Sequence, residues 1–315
     1  MRDIDFNDAQ QALGFILPQQ LRIETEVYKI KYPSFDYARL LPVITDGDMW
    51  DVGSVFFSGD IAGKAEFLSN KGFDMPYADI AKSQFIQTNQ LAGIGYEWSL
   101  GELKRAERLG QDLGADKAAA ARKVAEQFLY NIALTGSTEK NWTGMINDAN
   151  VPTANVTADG TSSTTSWDNK TALQILRDIN AAIEAVYNNT LETEVADSLA
   201  LPTSRLQLIA RTPIGDNADK TILTFIRENN AYTAETGRPL NIKGVRNLET
   251  AGASSTKRMI AYSNNRDVLR FHLPGPHEFI EPFRKSSMTW EVAGIMNTGG
   301  TEIRLPKGMV YRDGV

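Results

Sequence analysis

His272 and His277 are the only histidines in the 315-residue chain, separated by Leu-Pro-Gly-Pro and followed by Glu278 and Glu281. Imidazole and carboxylate are the ligand types of a zinc site and the partners of an acid–base pair. The intervening Pro-Gly-Pro argues against metal, because it does not present both rings on one helix face as an i, i+4 pair does. A structural or surface role is expected. Gly59 to Lys64 has the look of a phosphate loop, yet its glycine spacing is one short and Ala65 replaces the hydroxyl that would hold magnesium. Gly93-Ile-Gly95 is followed by Trp98 where a dinucleotide fingerprint needs glycine or alanine. Asp46, Asp48 and Asp51 form an acidic cluster, but Trp50 occupies a position that a calcium loop gives to oxygen, so a solvated turn is expected. The chain has no cysteine and no Gly-x-Ser-x-Gly elbow. The 39 acidic residues make chance carboxylate pairs unavoidable, so such pairs carry no signal. No catalytic, cofactor or metal site is expected.

The elements that would have to position such residues are easier to read. Ser99 and Glu102 have the spacing of a capping box, which starts a helix. Apolar residues recur from Leu100 through Leu103, Leu109, Leu113, Val124 and Phe128 to Ile132 with a 3.6-residue period. Leu103, Leu113, Val124 and Phe128 are its expected core residues, and Gly136 suits the left-handed position that ends it. Such a helix would run on the order of 50 Å, the length of a strut. Gly110 and Gly114 are the places where it would bend.

Ahead of it, roughly Trp50 to Ser58 and Ile80 to Tyr96 read as the strands of a long hairpin around a tip rich in Gly and Asp. A two-stranded hairpin is marginal alone, so this one needs a partner, and a neighbouring subunit is the economical candidate. Residues 1 to 47 are too apolar for a solvated tail and read as an arm that lies on a surface. The tip residues Lys64, Phe67, Lys71 and Phe73 and the arm residues Phe15, Leu17, Tyr28 and Tyr32 are the candidate intersubunit contacts.

After a polar stretch at 151–166, the chain reads as mixed α/β. Ser166 is expected to cap a helix whose stripe runs from Ala172 to Tyr187. Leu206 to Ala210 and Met259 to Tyr262 read as strands, and Lys220 to Asn229 as a helix. The end of the chain, with runs at 268–273, 288–295 and 301–305, reads as β-rich.

The bulk composition bounds the function. With 42% hydrophobic residues the chain is globular and long enough for about two domains. No apolar run approaches a membrane span and no signal-peptide layout opens the sequence, so folding in a cytoplasm is expected. Net charge is −6 with no Lys/Arg-rich run, which disfavours tight binding to phosphate backbones.

Taken in order, the apolar arm, long hairpin, strut helix, α/β region and β-rich return resemble the major capsid proteins of tailed bacteriophages. These have the Hong Kong-97-like fold, shared with encapsulin shells. The most specific local stretches are Ser99-Leu-Gly-Glu-Leu, the helix end from Phe128 to Gly136, Trp142-Thr-Gly-Met-Ile-Asn147, and Ile303-Arg-Leu-Pro306 before Met309-Val-Tyr311. The resemblance implies an α+β fold with an N-terminal arm (1–47), an extended loop (48–98), a peripheral domain with a spine helix (99–150 and 263–315) and an axial α/β domain (151–262). It further implies self-assembly as pentamers and hexamers into an icosahedral shell around double-stranded DNA, in a virion assembled in a bacterial cytoplasm. Scaffolding, portal and decoration proteins would be partners, and the DNA would be contacted weakly. Some relatives weld subunits through Lys-Asn bonds, but Lys64, Lys71 and Lys82 have no identifiable acceptor here and read as ordinary exposed lysines. Two alternatives stand beside this reading: an encapsulin-like cargo compartment and an α/β enzyme built on residues 166–262.

Overall fold

The computed structural model describes residues 35–62, 79–109, 113–215 and 220–315. Its first described residues already lie on the chain's own body. Leu40 and Leu41 are buried, Tyr37 packs on Phe271 with ring centroids 5.2 Å apart, and the buried Tyr262 hydroxyl donates to the Leu40 carbonyl at 2.7 Å. Strand β1 (Val43–Ile44) continues this contact, and a turn in which Asp48 N–H donates to Asp51 (2.7 Å) uses the acidic cluster as a loop. The strands β2 (Gly53–Ala62) and β3 (Asp79–Thr88) then pair antiparallel over ten positions, from Gly53 opposite Thr88 to Ala62 opposite Asp79. The ribbon is about 34 Å long at roughly 3.4 Å per residue. Strands β4 (Gln90–Gly93) and β5 (Tyr96–Ser99) return the chain to the body.

The capping box forms as expected: Ser99 N–H donates to Glu102 (3.1 Å) and Glu102 N–H to the Ser99 hydroxyl (3.3 Å). It opens two helices rather than one, α1 (Leu100–Leu109) and α2 (Leu113–Thr135). Lys117 in α2 reaches Glu102 in α1 at 3.1 Å and donates to the Glu97 carbonyl at 2.8 Å. In one straight helix Lys117 and Glu102 would stand about 22 Å apart, beyond the reach of both side chains. The expected 50 Å strut is therefore corrected to a 23-residue helix of about 35 Å with a separate short helix at its start.

The last turn of α2 shows why the Trp-Thr-Gly-Met-Ile-Asn stretch exists. A helix leaves its final carbonyls without intrahelical donors. Here Ala133 C=O accepts from Met145 N–H (3.1 Å) and from the Thr301 hydroxyl (2.8 Å). Leu134 C=O accepts from Ile146 N–H (3.0 Å), and Thr135 C=O from the Asn147 side-chain amide (2.8 Å). Gly136, at φ +76°, turns the chain into the short pair β6 (Gly136–Ser137) and β7 (Trp142–Thr143). The expected left-handed end of the helix is present.

Beyond this turn come β8 (Thr153–Asn155) and α3 (Ala172–Asn189). Thr171, not Ser166, caps α3, in a reciprocal box with Gln174; Ser166 caps only a single 3₁₀ turn at Trp167–Asn169. β9 (Ser198–Pro202) is the strand of this region. The run Leu206 to Ala210, expected as a strand, lies inside the helix α4 (Thr203–Arg211), because one face of it packs on the sheet and the other meets solvent. Helices α5 (Ile222–Glu228), capped by Thr221, and α6 (Ala231–Thr236) lead to β10 (Asn241–Val245) and β11 (Arg258–Tyr262).

The remaining strands are β12 (Leu269–His272), β13 (Gly275–Phe279), β14 (Phe283–Arg284), β15 (Thr289–Val292), β16 (Gly294–Thr298), β17 (Gly300–Ile303) and β18 (Met309–Asp313). They build three small sheets, β1-β12-β17, β13-β16-β4 and β14-β15-β5. β18 instead enters the central sheet, whose order is β10-β9-β11-β18-β8. The boundary expected between 151–262 and 263–315 thus does not divide this sheet.

Period-two alternation splits the sheet's side chains between two cores. Leu199, Leu201, Met259, Ala261 and Val310 face α3, α4 and α5. Ala200, Ile260, Tyr262, Met309 and Tyr311 face the end of α2 and Met145–Ile146. The central sheet therefore lies between the helices of the α/β region on one face and the end of α2 on the other.

Candidate intersubunit surface

Among the described residues, the hairpin β2–β3 leaves several large apolar side chains uncovered by its own chain. Val55 and Ile86 are directly opposite each other on one face and are 50% and 66% exposed, with Ile80 further along the same face at 60%. Its other face carries the stacked pair Phe56 and Phe85, ring centroids 5.2 Å apart. The base of the ribbon is closed by Asn89 N–H donating to Val52 C=O (2.8 Å), and it joins the body where the Asn297 amide donates to Asp51 C=O (2.8 Å) and the Gln87 amide to Gly299 C=O (2.5 Å).

The tip candidates Lys64, Phe67, Lys71 and Phe73 and the arm candidates Phe15, Leu17, Tyr28 and Tyr32 lie outside the described residues. The helix candidates are described and are corrected. Leu103, Val124 and Phe128 are 40%, 47% and 39% exposed, and Leu113 is half-buried, so none belongs to the chain's own core. The buried line of α2 is Ala121, Ala125, Leu129 and Ile132, whose small early members let the helix lie close to its neighbours. Val124 and Phe128 sit on one flank of that line. Periodicity located the stripe but not its centre.

The two histidines part company. His272 pairs with Glu302 at 2.6 Å in the interior, while His277 lies 3.3 Å from the Ile94 carbonyl with its ring edge-on to Phe279. Among the described residues no group of three or more His, Asp and Glu is placed to hold a metal, and no helix is long and apolar enough to cross a membrane.

Glu302 on β17 is the hub of a cluster that sequence reasoning missed. It accepts from His272 (2.6 Å) and Arg304 (2.9 Å), and Arg270 stands 3.7 Å away. Burial works to raise its pKa, and the bonds from His272 and Arg304 outweigh this, holding the carboxyl below its ordinary value. A carboxyl lowered in the folded state contributes stability above the unfolded range that is lost as pH falls through the folded value. Glu302→Gln is accordingly expected to flatten the decline of stability below about pH 4, read from urea midpoints at a series of acidic pH values. An unchanged acid limb would show that other carboxylates control it. The only sequence signal was Glu302 and Arg304 two apart along an extended run, which puts both side chains on one side.

Three further shifted groups hold elements of the fold together. The Arg205 guanidinium, bonded to Asp168 at 2.5 and 2.7 Å, holds that carboxyl at about 2 and ties the 3₁₀ turn to α4. Burial pushes the Tyr262 and Tyr311 hydroxyls upward, and each donates to a backbone carbonyl. A cavity of about 530 Å³ beside α2 is lined by Tyr130, Asn131, Asn147 and Arg246 among others. Its Asn147 is committed to closing the helix, and no nucleophile with a neighbouring base lines it.

The family model described as Major capsid protein matches residues 63–315. Among solved structures, the chain is similar to the capsid of Myoviridae phage XM1, at 14% identity and TM-score 0.77, covering 95% of this chain and 98% of that one. It is also similar to the capsid of an empty GTA particle, at 12% identity and TM-score 0.62, covering 98% and 99%. A third likeness is to a virus-like particle from Pyrococcus furiosus, at 14% identity and TM-score 0.50, covering 87% and 90%. No curated protein matches. The matched span takes in the return strand of the hairpin, helices α1 and α2 and every strand of the central sheet, and on that match the chain belongs to the Major capsid protein family, as a structural subunit of a capsid shell.

Proposed function

We propose that copies of this chain close into an icosahedral head shell around the double-stranded DNA of a bacteriophage, in a Hong Kong-97-like arrangement. The hairpin β2–β3 and the N-terminal arm reach across neighbouring copies, with Lys64, Phe67, Lys71 and Phe73 at the tip and Phe15, Leu17, Tyr28 and Tyr32 on the arm as contacts. The α/β region at 151–262, completed by β18, meets its copies as pentamers and hexamers, and residues 99–150 with strands β12 to β17 form the periphery. Scaffolding, portal and decoration proteins are the further partners, and assembly takes place in the host cytoplasm. The net charge of −6 suits a container that touches its DNA weakly and without sequence preference.

The observation that carries the reading is the hairpin: a ribbon of ten residue pairs whose apolar face, Val55 and Ile86, stands in solvent in the single chain. Two strands with that face uncovered are marginal in water. Many such contacts, each weak, sum to a durable shell because every subunit is tethered by several at once. The phage-capsid neighbours favour this reading over an encapsulin-like compartment.

The test shortens the ribbon, joining Ser58 to its partner Ser83 through an Asn-Gly turn, which suits a two-residue hairpin. The expected result is a folded subunit with an unchanged melting transition and no closed shells by electron microscopy and sedimentation. Unfolding of the shortened chain would place the hairpin in the subunit's own core. Stable monomers of the full chain at every salt and concentration would overturn the shell itself.

A further inference from the structure

Beyond its base, the hairpin meets the body through an arginine side chain. The Arg304 guanidinium lies over the Phe56 ring, 4.0 Å from its centroid. Phe56 is the fourth residue of β2 and stacks on Phe85 of β3, so a contact to one ring bears on both strands. Arg304 is itself fixed on two sides. Its N–H donates to Val268 C=O (2.8 Å), and its Nε donates to Glu302 (2.9 Å), which is anchored in turn by buried His272. Arg270, across the ladder from Glu302, supplies further positive charge behind the same carboxylate. A planar cation pinned from behind by a buried carboxylate presents a flat face at a set angle.

We propose that Arg304 is a positioning residue: held by Glu302 and His272, it sets the angle at which the hairpin leaves the body by clamping the Phe56–Phe85 stack. The remaining bonds at the base, from Gln87, Asn89 and Asn297, fix where the ribbon starts. They lie at its first residues and act as a pivot. The ribbon is a lever beyond that pivot, and a tilt of about 15° moves its far end roughly 9 Å over a length of about 34 Å. The consequence for assembly rests on the reading of the hairpin as an intersubunit contact; the angle itself does not.

The chain has no cysteine, so two introduced labels are unambiguous. Spin labels at Ser83→Cys on β3 and Gln127→Cys on α2, in labelled chains diluted with unlabelled ones, report the angle within one subunit whether or not shells form. Both positions are exposed. Arg304→Ala and Phe56→Ala are each expected to shift or broaden the distance distribution by roughly 4 Å, the movement that a tilt of about 15° gives about 17 Å from the base. Arg304→Lys, which keeps the cation but not the flat face, is expected to fall between them and the parent. Phe56→Ala removes no hydrogen bond of the Glu302 cluster, so a folding defect of Arg304→Ala does not close the test. Distributions identical to the parent in both alanine variants would overturn the proposal. An altered distribution with normal shells would uphold the clamp and overturn the reading of the hairpin as a contact that governs assembly.

Discussion

Replacing Asp313 with alanine is expected to lower subunit stability by about 3–5 kcal/mol. Asp313, on β18, accepts from Arg258 Nε at 2.7 Å and Nη2 at 2.8 Å, a two-point pair between adjacent strands of the central sheet. Its side chain is almost wholly buried, and it also accepts from Ala253 N–H at 3.0 Å. Removing it strands a guanidinium in the interior. The Ile146 carbonyl, 2.7 Å from Nη1, and the Tyr311 ring, 4.5 Å away, satisfy only part of that charge. Urea unfolding reads the loss as a lower midpoint at unchanged slope. A drop under about 1 kcal/mol would show that the carbonyl and the ring suffice for Arg258. Replacing both partners with apolar residues of similar volume is expected to recover most of the stability, since the cost arises from the unpaired charge.

Gly144→Ala is expected to cost about 3 kcal/mol, combining overpacking with the loss of a closing hydrogen bond. A Cβ there would collide with the carbonyl carbon and oxygen of Leu134, both backbone atoms of the last turn of α2. Relief requires moving the turn, which breaks Gly144 N–H to Asn147 (2.7 Å) and the bonds that Met145 and Ile146 make to the helix end. Gly101→Ala is the control. Nothing lies within 4 Å of its added Cβ, and it sits in α1, so a gain of up to about 1 kcal/mol is expected. Thermal melts of the two variants should move in opposite directions. A neutral Gly144→Ala would mean that the turn closes the helix without close approach.

The features legible in the sequence were those governed by local rules. Ser99 and Glu102 announce a helix start because both halves of the box lie within four consecutive residues. The hairpin showed itself through strand formers on either side of a turn-rich segment. Leu206 to Ala210 failed because a short apolar run has no period long enough to separate strand from helix; the helix emerged from packing against β10 and β9. The strut failed on length, since the Lys117 contact that bends it spans fifteen residues. The expected helix core failed at Val124 and Phe128 because alanine lines buried faces as readily as larger residues do, and hydrophobicity alone ranks it low. The Glu302 cluster and its clamp on Phe56 were illegible. They depend on β12, β17 and β2 meeting in space, which no local pattern records.

The Tyr311 hydroxyl, which donates to Met145 C=O at 2.7 Å, lies 166 residues downstream of the turn it secures. At a synthesis rate of about 5–20 residues per second, that anchor emerges roughly 10 to 30 s after the turn itself. Throughout that interval the end of α2 lacks both Tyr311 and the neighbouring strand on which β8 pairs. The order of synthesis thereby leaves the closing turn of α2 unsecured until β18 has been made.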